Sequence, residues 1–191
     1  MTKILILDNY DSFTYNLVHY VKEYPGLDVD VFRNDKIDLN DIEPYDGILL
    51  SPGPGIPSEA GLLLSVIERY SPTKRVFGVC LGQQAIGEVF GCRLINMSRV
   101  FHGVATPVNL LQPLHYLFDG LPARIEAGRY HSWIVDETGF PECLQITARD
   151  DEGQIMALSH KTFDVCAVQF HPESILTPDG KKIIFNWLNK F

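Results

Sequence analysis

Cysteine is scarce in this 191-residue chain: Cys80, Cys92, Cys143 and Cys166 are the whole supply, and no two form a Cys-x-x-Cys pair. That excludes a disulfide framework and the oxidising compartment it would imply. Histidines are few, and none stands at His-Glu-x-x-His or Cys/His zinc spacing, so no metal site is expected. Positive charge is in deficit, with 16 Lys and Arg against 24 Asp and Glu and a net charge of −8. A nucleic-acid surface or a polybasic membrane patch needs the opposite balance. Long apolar runs are missing as well, since nothing approaches the ~18 residues of a membrane span. The opening run Ile4-Leu5-Ile6-Leu7 is closed by Asp8, which is not the form of a signal peptide. No repeat, low-complexity tract or linker interrupts the chain. These absences predict a single domain over residues 1–191 working in a reducing cytoplasm.

What is present is the composition of a soluble globular protein, 46% apolar and 21% charged. Residues 3–7 read as a buried first strand. Asp11 or Ser12 can cap a helix in which Phe13, Leu17, Val21 and Tyr24 recur every three or four residues. Residues 28–32 alternate as a second strand, and residues 47–50 make a third. Residues 59–70 predict a helix with Leu62, Leu63, Val66 and Ile67 on one face. Residues 76–80 and the helix after them follow. This βαβ-βα-βα order predicts a parallel sheet with helices on both faces. After Gly91 the segments shorten: 93–96, 106–110, 124–127, 144–148 and 155–159 are strand candidates between turns. They predict an antiparallel extension of that sheet. Residues 165–170 return as a buried strand, and a helix from about Pro178 to Leu188 closes the chain.

Gly78-Val79-Cys80-Leu81-Gly82 carries the most chemistry. It predicts strand, sharp turn and helix, with glycines two residues to each side of a cysteine where a Cβ would clash. Such a thiol stands at a helix N-terminus, where backbone N–H groups and the dipole favour the thiolate. The Leu81 N–H is placed to hold an oxyanion, in the manner of a nucleophile elbow. The competing reading is a buried structural cysteine on a core strand. His171-Pro172-Glu173 supplies what a nucleophile needs. The residue before a proline is extended, and positions i and i+2 then share a side. Glu173 can therefore orient the His171 ring toward Cys80, although alone the tripeptide reads more readily as a surface turn. Gly53-Pro54-Gly55 follows a strand and can bring backbone donors to a ligand. It is neither a Walker A loop nor a dinucleotide fingerprint. His131, in Arg129-Tyr130-His131-Ser132-Trp133, either lines the pocket or belongs to a packed aromatic loop.

Taken together, Gly78-Val-Cys80-Leu-Gly82-Gln-Gln84 and Gln169-Phe-His171-Pro-Glu173-Ser resemble the class I, triad-type glutamine amidotransferases. Asp8-Asn-Tyr-Asp-Ser-Phe-Thr-Tyr-Asn16, Ser51-Pro-Gly-Pro-Gly55 and Arg129-Tyr-His-Ser132 narrow the resemblance to members serving anthranilate synthase or aminodeoxychorismate synthase. The resemblance runs nearly end to end. It implies a flavodoxin-like, open, twisted, mostly parallel sheet. It implies Cys80 as nucleophile, with His171 and Glu173 completing a triad. Glutamine would be held by Gly53, Pro54, Gly55, Gln84, Ser132 and Trp133, with Leu81 at the oxyanion. It further implies a separate chorismate-using synthase as protein partner, in a heterodimer or heterotetramer, and no cofactor for glutamine hydrolysis. Gln83, Val104 and Trp133 depart from the family pattern without touching the triad. Two rivals share the fold: a free-standing γ-glutamyl hydrolase, and a flavodoxin-like binding module with an inert cysteine.

Overall fold

The computed structural model describes residues 1–191. In chain order it has β1 (Thr2–Asp8), α1 (Thr14–Glu23), β2 (Leu27–Arg33), β3 (Gly47–Leu50), α2 (Leu63–Tyr70), β4 (Arg75–Val79) and α3 (Leu81–Val89). Then come β5 (Leu94–Asn96), β6 (Val104–Leu110), β7 (Arg124–Arg129), β8 (Trp133–Val135), β9 (Leu144–Asp150), β10 (Ile155–His160), β11 (Val165–Val168) and α4 (Gly180–Leu188). Nine strands form one sheet in the order β2-β1-β3-β4-β11-β10-β9-β6-β7. The first five run parallel, and β10, β9, β6 and β7 extend them antiparallel. This is the mixed α/β sheet that the sequence predicts.

Strand alternation decides which helix covers which face. In β1, Ile4 and Ile6 point to one side with Leu17, Val21, Ile183 and Trp187 of α1 and α4. Leu5 and Leu7 point to the other, with Leu63, Ile67, Ala85 and Ile86 of α2 and α3. All four β1 residues are fully buried, which is why the run is continuously apolar rather than alternating. No helix is long and apolar enough to cross a membrane.

Several expectations need correction. The 93–96 stretch is not in the extension. As β5 it pairs with β8, for which the sequence predicts no strand, in a separate two-stranded ladder. That ladder lies against α3, and a Cβ on Gly87 would come within 2.9 Å of Val135. The helix expected from residue 59 is a short 3-10 turn at Pro57–Glu59, and α2 proper starts at Leu63. The strand expected to reach Phe170 ends at Val168. Neither Asp11 nor Ser12 caps α1, whose N-cap position is Phe13. The Asp11 carboxylate instead accepts the Phe13 N–H at 2.7 Å in the turn before the helix.

Candidate active site

Because β1, β3, β4 and β11 run parallel, the loops after them meet at one edge of the sheet, where open α/β sheets hold their ligands. Cys80 follows β4 and is the residue before α3. Its backbone sits at φ 52° and ψ −99°, a conformation that non-glycine residues rarely adopt and that aims the side chain out of the turn. The flanking glycines are required by contact. A Cβ on Gly78 would lie 2.7 Å from the Gly82 backbone, and one on Gly82 would lie 2.8 Å from the Leu50 carbonyl. The elbow exists because strand and helix pack this closely.

Strand β11 is the parallel neighbour of β4, so residues 169–173 arrive beside Cys80. The His171 N–H donates to the Gly128 carbonyl at 2.9 Å, and Thr177 Oγ1 donates to the His171 carbonyl at 2.6 Å. These two bonds pin the backbone from which the ring projects. Its Nδ1 lies 2.7 Å from Glu173 Oε1, both residues being buried. His171 Nε2 makes no hydrogen bond within the chain and is the nitrogen left for Cys80. Burial pulls the His171 pKa down, but the neighbouring Cys80 charge, then the Glu173 hydrogen bond and charge, outweigh it. The imidazolium is thereby held well above its ordinary range. Phe13 and Tyr130, neither singled out by sequence, pack against the ring with centroids 6.0 and 4.9 Å away.

A cavity of about 210 Å³ opens on Cys80, lined by Gly53, Pro54, Gly55, Gln84 and the stretch Tyr130 to Trp133. It gathers the residues expected to hold a ligand, apart from Leu81. That side chain is buried in the α3 packing, which leaves its backbone N–H for any role at an oxyanion. A second cavity, about 500 Å³, meets the first at Cys80, Gly53, Pro54 and Tyr130 and extends to Tyr10, Phe13 and His102. A space of similar size, about 530 Å³, lies at the opposite edge of the sheet between Thr2, Asp46, Arg75 and Asp164. Neither cysteine nor histidine lines it.

The opening motif has a physical role that its pattern alone does not reveal. Asp8 Oδ1 accepts from the Tyr10 N–H and from Thr14 Oγ1, closing the turn after β1. The Asn9 N–H donates to Ser51 Oγ, and Asn9 Nδ2 donates to the Ser51 carbonyl, each at 2.8 Å. These bonds fix the loop that carries Gly53 to Gly55. Gln83, one of the departures from the family pattern, is fully buried away from the cavity lining. Val104 starts β6 and is 40% exposed, so it too leaves the pocket wall unchanged.

The thiols should differ sharply in reactivity. Burial pushes Cys92 up to about 12, helped by the charges of Cys143 and Asp136. Burial also pushes the fully buried Cys166 up to about 12. At pH 8 both are held as the thiol, and the thiolate is the reactive form. Alkylation followed by peptide mass spectrometry should label Cys80 at least about tenfold faster than any other thiol. Even labelling across the four would mean that the elbow does not activate its cysteine.

A model of the family "Glutamine amidotransferase class-I" matches residues 5–191. The aminodeoxychorismate/anthranilate synthase component 2 of Bacillus subtilis (strain 168) is 42% identical over 190 residues, covering 98% of this chain and 96% of that one. The bifunctional protein TrpGD of Thermotoga maritima is 43% identical over 192 residues, and there 99% of this chain spans 32% of the longer protein. Among solved structures, one from Thermoplasma acidophilum described as a GMP synthase subunit superposes with a TM-score of 0.87. It shares 27% identity over 99% of this chain and 93% of that one.

Proposed function

The chain belongs to the class-I glutamine amidotransferases, and from that membership we propose that it is the glutaminase component of a chorismate-using synthase. The observation that carries this is Cys80 at a strained elbow, facing a cavity of about 210 Å³ beside a His171–Glu173 pair at 2.7 Å. Cys80 Sγ attacks the side-chain carboxamide carbon of glutamine, held against Gly53 to Gly55, Gln84 and Ser132-Trp133. The carbonyl electrons move to oxygen, where the Leu81 N–H at the start of α3 and the Gly53 loop supply donors. As the C–N bond breaks, His171 gives its proton to the leaving nitrogen, releasing ammonia and a γ-glutamyl thioester. His171 then takes a proton from water, which cleaves the thioester to glutamate and restores the thiolate. Glu173 holds the imidazole in one orientation throughout.

The proposed destination of the ammonia is a synthase chain bound over the site. Tyr10, Val100, Val104 and Ile175 are exposed apolar side chains. Tyr10 lines the cavity that opens at Cys80, and Ile175 lies two residues beyond Glu173. Exposed apolar side chains beside a site suit a docking face. The Bacillus relative's name covers both anthranilate and aminodeoxychorismate synthase, so we propose either or both as partner, in a one-to-one or two-to-two complex. Buried free thiols at Cys92 and Cys166 suit a reducing compartment such as the cytoplasm. The chain is mixed with each synthase component in turn, with chorismate and glutamine, and formation of anthranilate or aminodeoxychorismate is followed. Glutamine-dependent product with at least one of them is expected. Failure with both, while ammonia still sustains each synthase, would rule the proposal out.

A further inference from the structure

Gln169 is fully buried, lines neither cavity, and yet places Nε2 3.5 Å from Cys80 Sγ. Its Oε1 accepts from Gln84 Nε2 at 3.3 Å. Gln84 Nε2 also donates to the Trp133 carbonyl at 2.9 Å. That carbonyl has a second ligand, His131 Nδ1 at 3.1 Å. His131 Nε2 in turn faces Arg129 Nε at 3.1 Å.

The orientation of an amide follows from its partners, and here the Trp133 carbonyl fixes it. A guanidinium only donates, so His131 Nε2 must accept and Nδ1 must carry the hydrogen. A backbone carbonyl only accepts, so Gln84 must turn its NH₂ toward Trp133. The same NH₂ serves Gln169, which must then turn its oxygen to Gln84 and its own NH₂ to the sulfur. The far end is anchored. Arg129 is 1% exposed, bonds Asp150 Oδ2 and Gln154 Oε1 at 2.7 Å each, and stacks on Phe101 with its guanidinium carbon 3.6 Å from the ring centroid. Burial, then the Arg129 charge, pushes His131 down to about 3, so it stays neutral through the working range and leaves proton transfer to His171.

We propose that Gln169 is a further catalytic residue whose amide N–H stabilises the Cys80 thiolate, and that Arg129 and His131 are positioning residues that hold the Trp133 carbonyl from which that amide takes its orientation. The proposal rests on the reading of Cys80 as nucleophile and adds a donor to it. The donor favours the charged sulfur over the neutral thiol, and it approaches from the core rather than from the ligand cavity.

The test uses the full chain with its synthase partner and two near-isosteric variants, Gln169→Met and Gln169→Glu, neither of which donates to sulfur at neutral pH. A lost hydrogen bond to a charged group should lower kcat for glutamine roughly tenfold to a hundredfold. KM should change less than about twofold, because Gln169 lines no cavity. The pH of half-maximal Cys80 alkylation should rise by about one unit. His131→Phe keeps the ring stacked on Phe101 and should move the same profile in the same direction by less. A wild-type measurement covers the case in which a variant misfolds: the ¹⁵N side-chain resonance of Gln169 should titrate with the alkylation midpoint. A loss confined to KM, an unmoved alkylation profile in a folded variant, or a Gln169 resonance indifferent to pH would each overturn the proposal. Alkylation and resonance need no turnover, so they read the hydrogen bond even if the chain hydrolyses no glutamine.

Discussion

Cys80→Ser should remove glutamine-driven synthesis while sparing synthesis driven by ammonium salts. Serine is close to cysteine in size, so the elbow at φ 52° and its glycine contacts should survive, as should any surface that binds a partner. The chemistry should not. A hydroxyl is far less acidic than a thiol, and a site tuned to a thiolate does not activate it equally well. His171 owes part of its imidazolium character to the Cys80 charge, which serine does not supply. Loss of a nucleophile in triad hydrolases falls at more than about 10³-fold in kcat, and that is the expected scale. Two assays on one reconstituted pair decide the matter. Free NH₃ at high pH should still feed the synthase at its wild-type rate. A Cys80→Ser complex that uses glutamine near the wild-type rate would remove Cys80 from the mechanism. One that binds its partner and loses the ammonia-driven rate as well would mean this chain does more than release nitrogen.

His171→Ala should cost roughly 10² to 10⁴-fold in kcat, the usual range for a general acid–base group. Glu173→Ala should cost about one to two orders of magnitude less than removal of the nucleophile, because the carboxylate orients the ring and transfers no proton. Equal losses would contradict this division. The pH dependence has a definite sign. The native His171 value is raised relative to about 6.5 in an unfolded chain. The stability it contributes is thus fully present below about pH 6.5 and is lost as pH rises through the raised native value. The difference in unfolding free energy between wild type and His171→Ala, from urea midpoints, should shrink as pH climbs above that point. A difference that widens with pH would show His171 to be neutral in the fold.

The elbow is legible in the chain because its causes are local. An apolar run, a cysteine with glycines two residues to each side, and a helix-forming stretch specify strand, turn and helix within about a dozen residues. The His171–Glu173 pair is legible for the same reason, as proline geometry puts both side chains on one side. Parallel strands follow from alternation of strand and helix. The parts that escape a sequence reading have distant causes. Strand β8 is three residues long and is stabilised by β5 and by packing on α3, so its own sequence carries almost no signal. The side-chain roles of Asn9 and Gln169 are invisible there, because an amide reads as an ordinary polar residue until its partners are known. Asn9 reaches Ser51 across 42 positions, and Gln169 reaches Cys80 across 89.

Local sequence dictates the chemistry available at each loop: a thiol at a helix start, an imidazole with its carboxylate, a glycine loop. Long-range strand pairing alone brings these loops to one edge, because β11 inserts beside β4 after the chain has passed through six intervening strands. That choice belongs to the burial of β11 between β4 and β10, where Val165 to Val168 are almost wholly removed from water. The same register sets Gln169 against the sulfur. The Trp133 carbonyl, an obligate acceptor, then fixes the polarity of Gln84 and through it of that amide, a constraint that exists only once the side chains have met.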